Sequence, residues 1–469
     1  MERMEGVDAG YLYLETPTMH MHTLKIAVLD PDEQFDDVRL TEQLLARLHL
    51  LPPFQRRVLP VPFSLNHPLW IADRPVDPAR HVFRHDIPAP GGMTGLEELI
   101  GRIASTPLDR SVPLWEVHVC EGFGDGKVAV VAKIHHAVAD GGAANALLTN
   151  VTDVGEEPLA GPTPGSAADP ATLEPTPSRV AQIRLALTDA IRQAGTLPGL
   201  LWTTIRAVAA VLRHKGESDV AVPRPVLDVP TTSFNGALTA RRSFATAALP
   251  LADIQQVRRA HEVTVNDVVL AVVAGALRRW LAARGETPSG ALVAGVPVGT
   301  DEPGDPPRLG GNRVSNLFTT LATDVADPHQ RVSTISRTTA ESKRIQRTLG
   351  PDMLRDWVQF TPPAPLSAAM NLYSRAGLAS RHPPPFNVIV SGVRGPDEIV
   401  TIAGARLADL FSVGPILEGV GLNVTAWSYD DRMNFSLLSC PDLLSDLGPL
   451  VAELGPALQE LRSSPHQEG

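Results

Sequence analysis

His135-His136-Ala137-Val138-Ala139-Asp140-Gly141 decides how the rest of this chain is read. Upstream, Val128-Ala129-Val130-Val131-Ala132-Lys133-Ile134 is β-branched and apolar enough for a buried strand. Downstream, Ala143-Ala144-Asn145-Ala146-Leu147-Leu148 reads as the start of a helix. The histidine pair therefore falls at the C-terminal end of a strand, where an α/β sheet presents side chains to a crevice. An imidazole titrates near neutrality, so a histidine there can take a proton from an alcohol, amine or thiol. Asp140 can orient a neighbour or anchor the turn, and Gly141 permits backbone geometry that a side chain would forbid.

Two other readings compete. A histidine at a strand end often serves only as a buried hydrogen-bonding group. His136 and Asp140 could also share a helical face and bind a metal. No His-Glu-x-x-His and no cysteine-rich cluster supplies further ligands, so no metal site is expected. Two adjacent histidines followed by Ala-Val-Ala-Asp-Gly favour catalysis.

The run is similar to the HHxxxDG signature of CoA-dependent acyltransferases, shared by chloramphenicol acetyltransferase, carnitine acyltransferase and peptide-synthetase condensation domains. More narrowly, the chain resembles the bacterial wax ester synthase/diacylglycerol acyltransferase family nearly end to end. Val7-Asp8-Ala9 and Met19-His20 stand where that family has its opening block. Pro107-Leu108-Asp109-Arg110 and Pro113-Leu114-Trp115-Glu116 resemble its "PLDRxxPLWE" block. Thr264-Val265-Asn266-Asp267, Gly311-Asn312 and Asn387-Val388-Ile389-Val390-Ser391 match three later blocks. The order and spacing of these blocks carry the resemblance. Two segments depart from it. Val296-Pro297-Val298-Gly299-Thr300-Asp301 stands where the family has Pro-Val-Ser followed by arginine, and Ser391-Gly392-Val393-Arg394-Gly395-Pro396 replaces Ser-Asn-Val-Pro-Gly-Pro. These departures bear on acceptor preference and turnover rather than on the fold.

The resemblance implies an α/β fold of two similar chloramphenicol-acetyltransferase-like domains, with mixed sheets and a cleft or tunnel between them. It implies fatty-acyl transfer from acyl-CoA, as co-substrate with no resident cofactor, to the hydroxyl of diacylglycerol or of a long-chain alcohol. His136 would be the general base, His135 would shape the turn, and Asp140 would hold an arginine away from the substrate. Asp140 orienting His136 as a triad aspartate is the alternative. Asn266 and Asp267, at a helix head, read either as ordinary caps or, for Asn266, as a donor to the developing oxyanion. Ser391 could offer a hydroxyl to the same intermediate, and Asp267 is taken with it as substrate-binding. Pro113, Leu114 and Trp115 are assigned to the substrate site, with Leu114 and Trp115 packing beneath the histidine turn. No Gly-x-Ser-x-Gly elbow occurs, which argues against a serine hydrolase route. A condensation-type acyltransferase and a non-catalytic acyl-lipid-binding protein are the rival functions.

Composition sets outer bounds. With 469 residues, 43% hydrophobic and 20% charged, the chain can bury the cores of two or three domains. A net charge of −11 argues against nucleic-acid binding and requires a local basic patch to receive an anionic CoA. Cys120 and Cys440 form no disulfide framework, which suits a reducing compartment. The acids of Met1-Glu2-Arg3-Met4-Glu5 do not suit a secretory signal. The longest apolar stretch, 268–277, is too short to span a bilayer of roughly 30 Å.

The boundaries expected are an N-terminal acyltransferase domain over 1–154, a connection over 155–230, and a C-terminal acyltransferase-like domain over 231–469. Gly155 to Ser178 is rich in proline, glycine and alanine, as a linker is. From Arg179 to Lys215, Val180, Ile183, Leu187 and Ile191, then Leu201, Ile205, Val208 and Leu212, recur at helical spacing, with Pro198-Gly199 dividing two helices. Arg184, Arg192, Arg206, Arg213 and Lys215 make this segment basic, and Trp202 suits a membrane interface. The same pattern also fits helices packing on their own protein. A cytoplasmic protein held peripherally at the inner membrane face or at lipid bodies is the location expected.

Overall fold

A computed structural model describes residues 1–31, 37–154, 173–301, 308–350, 353–396 and 398–463. The linker expected over 155–178 lies largely outside these, as does the tail beyond 463. The chain builds two mixed sheets. The first is ordered Val82–Asp86, Trp115–Gly124, Lys127–His135, His22–Asp30, Ala405–Val413, Val400–Ile402 and Asp153–Val154. Only its Val82–Asp86 and Trp115–Gly124 pair is parallel. The second is ordered Val314–Thr320, Val293–Gly299, Val388–Arg394, Leu422–Tyr429, Arg432–Ser439 and Ser243–Pro250. Its three central strands run parallel to one another.

One pair of strands crosses between the two halves of the chain. Val400–Ile402 and Ala405–Val413 fall within 231–469 yet pair in the first sheet, where Leu410 lies opposite Ala27 and Val413 opposite Leu24. The C-terminal unit is thus not closed on itself. Leu407, Leu410, Phe411 and Val413 are all buried, and His22–Asp30 would otherwise leave an apolar edge open to water. This crossing strand brings the two sheets together, since it also packs on Leu422–Tyr429 through contacts that include Tyr429, whose hydroxyl donates to the Leu407 carbonyl at 3.0 Å.

The second unit is organised around Val265–Ala283, whose side is buried from Asp267 through Leu277. Gly275 allows this packing, because a Cβ there would sit 2.9 Å from the Cβ of Ala457 on the helix Leu454–Arg462. The helix Gly92–Ala104 ties the units from the other side. Its Glu97 accepts from the Thr246 amide and hydroxyl, at 2.6 and 2.7 Å.

Arg179–Ala194 and Leu197–Glu217 form the two helices that the sequence predicts. Their orientation settles which face looks outward. Val180 and Ile191 are each 76% exposed, Trp202 is 62% and Leu212 is 65%, while Gln182 and Ala186 face inward. Packing of that apolar stripe on the protein itself is therefore not what forms. No single described helix is long and apolar enough to cross a membrane.

Candidate active site

The strand Lys127–His135 ends at the histidine pair and the helix Gly141–Val151 begins directly after Asp140. His135 is fully buried, and its Nδ1 accepts the amide of Ala137 at 3.0 Å, which bends the chain out of the strand. Glu15 lies behind it, 3.6 Å from its Nε2. Burial alone would raise the Glu15 carboxyl, but His135 and Arg110 outweigh it and hold that group well below the usual carboxylate range. Leu114, Trp115 and buried Pro113 support the turn from beneath. The Leu114 carbonyl accepts from the His135 amide at 3.0 Å, and the Trp115 indole donates to the Phe54 carbonyl at 2.9 Å. Trp115 also stacks on Phe54 and His81. All three are buried.

His136 differs from its neighbour in being half-buried rather than fully buried. Tyr11 stacks on it, with ring centroids 4.3 Å apart and planes 18° from parallel. Its Nδ1 lies 3.0 Å from Oδ1 of Asn312. Burial depresses its pKa below the ordinary histidine value, with Asp140 and Asn312 opposing that shift in part. The ring is accordingly neutral at neutral pH, the state a proton acceptor needs.

Asp140 does not face this ring's nitrogens. Its Oδ1 caps the helix by accepting from the Ala143 amide at 2.9 Å. Its Oδ2 accepts from Arg308 Nη2 at 2.8 Å and from the Arg313 amide at 2.7 Å. Arg308 also reaches Asp301, one of the departures from the family pattern, at 2.8 and 3.0 Å, and the carbonyls of Gly310 and Gly311. This cluster stitches 308–313 of the second half to the turn, aided by the bridge between Ala139 and Gly311. Arg308 had no signal in its local sequence.

Gly141 corrects an expectation. Its backbone is one that any residue adopts, because it is simply the first helical residue, and a side chain there would meet open space. Asp267 is a second correction. Thr264, not Asn266 or Asp267, caps the helix Val265–Ala283, and Asp267 closes the capping box by accepting the Thr264 amide at 3.0 Å. Its carboxylate is buried against Thr264 and Ser336 rather than offered to a cleft. Ser391 lies half-buried within Val388–Arg394, opposite Thr425.

Asn266 does line a cleft, of about 670 Å³, together with Arg258, Thr264, Gly392, Arg394 and Ser428. Gly392 makes room for it, since a Cβ there would sit 3.0 Å from Asn266 Oδ1. The cleft adjoins the histidine motif's helix, where Asn145 donates to the Arg394 carbonyl at 2.9 Å. A polar cleft of about 310 Å³ ends on Asp8, Val138 and Asn312. An apolar chamber of about 110 Å³ is walled by Leu40, Leu44, Phe54, Val130, Ile134 and Leu147. Among the described residues, His136 is not in the walls of these three cavities.

Comparison with known proteins agrees with this architecture. The profile of the wax ester synthase/diacylglycerol acyltransferase catalytic domain matches residues 4–269, and that of the WS/DGAT C-terminal domain matches 310–462. The chain belongs to this acyltransferase family. A Mycobacterium tuberculosis protein, named provisionally as a diacylglycerol O-acyltransferase, is 36% identical over 98% of this chain and 96% of its own length. A Mycobacterium bovis protein with the same provisional name is 32% identical over 99% of each chain. Among solved structures, the wax ester synthase/diacylglycerol acyltransferase of Marinobacter aquaeolei VT8 superposes with a TM-score of 0.67, at 26% identity over 98% of both chains. A mutant starter condensation domain of rhizomide synthetase, in complex with C8-CoA and Leu-SNAC, shares the fold with a TM-score of 0.55. That likeness covers 98% of this chain and 93% of the other at 12% identity.

Proposed function

We propose that the chain moves a long-chain acyl group from acyl-CoA to the hydroxyl of diacylglycerol, giving triacylglycerol and free CoA. The observation that carries this reading is His136 itself, a half-buried residue whose imidazole is held neutral and paired through Nδ1 with Asn312, at the centre of a family acyltransferase motif. The acceptor's oxygen attacks the thioester carbonyl while His136 takes its proton. The tetrahedral intermediate then collapses, the C–S bond breaks, and the departing thiolate recovers that proton from the imidazolium. A thioester is already activated, so no covalent enzyme intermediate is required. Labelled palmitoyl-CoA offered to diacylglycerol, to hexadecanol or to no acceptor tests the assignment. Triacylglycerol as the main product supports it, ester from hexadecanol alone makes the protein a wax ester synthase, and no product from folded protein removes the catalytic reading.

The acyl-CoA side of the site follows from charge. Among its described lining residues, the cleft around Asn266 carries the charged side chains of Arg258 and Arg394, in a chain whose net charge is −11. Such a pocket favours the phosphates of CoA over the rest of the surface. Arg258→Glu and Arg394→Glu are each expected to raise KM for palmitoyl-CoA about tenfold with kcat little changed, as loss of uniform binding does. Steady-state kinetics with the acceptor saturating checks this.

The exposed stripe on Arg179–Ala194 and Leu197–Glu217 supports a lipid-surface location and, with it, diacylglycerol as acceptor. Val180, Ile191, Trp202, Ile205 and Leu212 lie outward beside exposed Arg184, Arg192, Arg206 and Arg213. An apolar face rimmed by cations matches an anionic membrane, to which each arginine adds about 1 kcal/mol. The double variant Trp202→Glu/Ile205→Glu is expected to cut co-sedimentation with phosphatidylglycerol vesicles at least fivefold. Turnover of a short-chain, water-soluble acceptor should stay near the parent value.

A further inference from the structure

Two blocks of the family resemblance, Val7-Asp8-Ala9 and Gly311-Asn312, have no part in the proton transfer above, yet they converge on its base. The Asn312 side-chain nitrogen lies 2.8 Å from Asp8 Oδ1 and 2.7 Å from the carbonyl oxygen of His136, while its oxygen lies 3.0 Å from His136 Nδ1. We propose that Asn312, oriented by Asp8 and by that carbonyl, is the positioning residue that keeps His136 in its Nδ1–H tautomer, leaving Nε2 to take the acceptor's proton. This rests on His136 being the general base.

The direction of each hydrogen bond follows from an accounting of protons. A backbone carbonyl has no proton to give, so the Asn312 atom beside it must be the NH2 group. Reversing the amide would set two acceptor oxygens 2.7 Å apart. The atom facing His136 is therefore the amide oxygen, which only accepts, and Nδ1 must carry the hydrogen. In a neutral imidazole the lone pair then resides on Nε2. An unconstrained neutral imidazole prefers the opposite tautomer, with its hydrogen on Nε2, where it would be useless as a base at that atom.

Asp8 fixes the far end of this relay. It is buried on the helix Gly6–Leu14, one turn before Tyr11, so a single helix supplies both the anchor for Asn312 and the aromatic face against the ring. Burial pushes the Asp8 carboxyl up to about 7, with Glu5 and Asp140 adding to the rise and Asn312 opposing it. Ionised or protonated, the carboxyl retains an oxygen that can accept from Asn312. The orientation of the amide therefore survives titration of Asp8. Gly311, at φ +74°, carries the chain past Asp8 Oδ2 in a conformation that few other residues adopt.

The test uses the full chain labelled with ¹⁵N-histidine, with His136 assigned by the signal missing from His136→Ala. At pH 8, His136 is expected to show a protonated Nδ1 and a bare Nε2. The reverse pattern in the parent protein overturns the proposal without recourse to any other variant. Asn312→Ala should move the ring toward the Nε2–H form and lower kcat about 10²-fold or more, with KM for both substrates within about threefold. Asp8→Asn, whose amide oxygen can still accept from Asn312, should stay within about tenfold of the parent kcat. Parent-like kcat in Asn312→Ala, alongside an inactive His136→Ala, overturns this inference alone. Full turnover in His136→Ala overturns the base assignment beneath it.

Discussion

Alanine at His136 is expected to lower kcat by roughly 10²- to 10⁴-fold, the range that a positioned general base contributes. Binding of both substrates should persist, because the cleft around Asn266 and the exposed helix pair are untouched. Stability should fall by only about 1–2 kcal/mol, the cost of leaving Asn312 Oδ1 without its partner. The pH dependence has a definite sign. Burial holds the His136 pKa below its ordinary value of 6.5, so the base stays unprotonated through neutrality and kcat/KM declines only on the acid side. Because the unfolded chain binds that proton more readily than the native one, the same group costs stability as pH falls below 6.5. His136→Ala should lose both the acid limb and this share of acid sensitivity. Rates from pH 5 to 9, with urea melts at the same values, check the two together.

Much of the site was legible because its parts are local. The apolar run 128–134 becomes the strand Lys127–His135, and the helix starts where an aspartate can cap it. Likewise Leu422–Tyr429 and Arg432–Ser439, neighbours in sequence across Asp430-Asp431, pair as an antiparallel hairpin. What was not legible depends on distant partners. Ala405–Val413 has a strand's pattern, but nothing in it specifies pairing with His22–Asp30 far upstream. Arg308 sits among prolines and glycines and acquires meaning only when Asp140 and Asp301 close on it. The outward turn of the Arg179–Ala194 stripe is equally invisible, since periodicity gives a face without saying what covers it. Thr264 is a different case. Thr264-Val265-Asn266-Asp267 has the spacing of a capping box, a local signal that family resemblance obscured by drawing Asp267 toward the substrate.

Asp140→Ala should be the most damaging single change to the fold near the site, at about 2–4 kcal/mol. Three interactions go at once: the cap on Gly141–Val151, the acceptor for the Arg313 amide, and the partner of Arg308. A lost cap costs about 1 kcal/mol, and breaking a buried ion pair can cost 3–5 kcal/mol. The total is moderated because Asp301 and two carbonyls still hold the guanidinium. Asp140→Asn should be milder, near 1–2 kcal/mol, since asparagine caps helices as well as aspartate does. This pair of variants also separates two mechanisms. A triad aspartate would make Asp140→Asn nearly inactive at unchanged stability, as losing the correct tautomer costs about 10⁴-fold. Here the carboxylate faces Arg308 while Asn312 occupies the imidazole's Nδ1, so turnover per folded molecule should remain within about tenfold of the parent. Urea melts read the first quantity, and kcat normalised to the folded fraction reads the second. A stable Asp140→Asn that has lost its turnover would move the orienting role from Asn312 to Asp140.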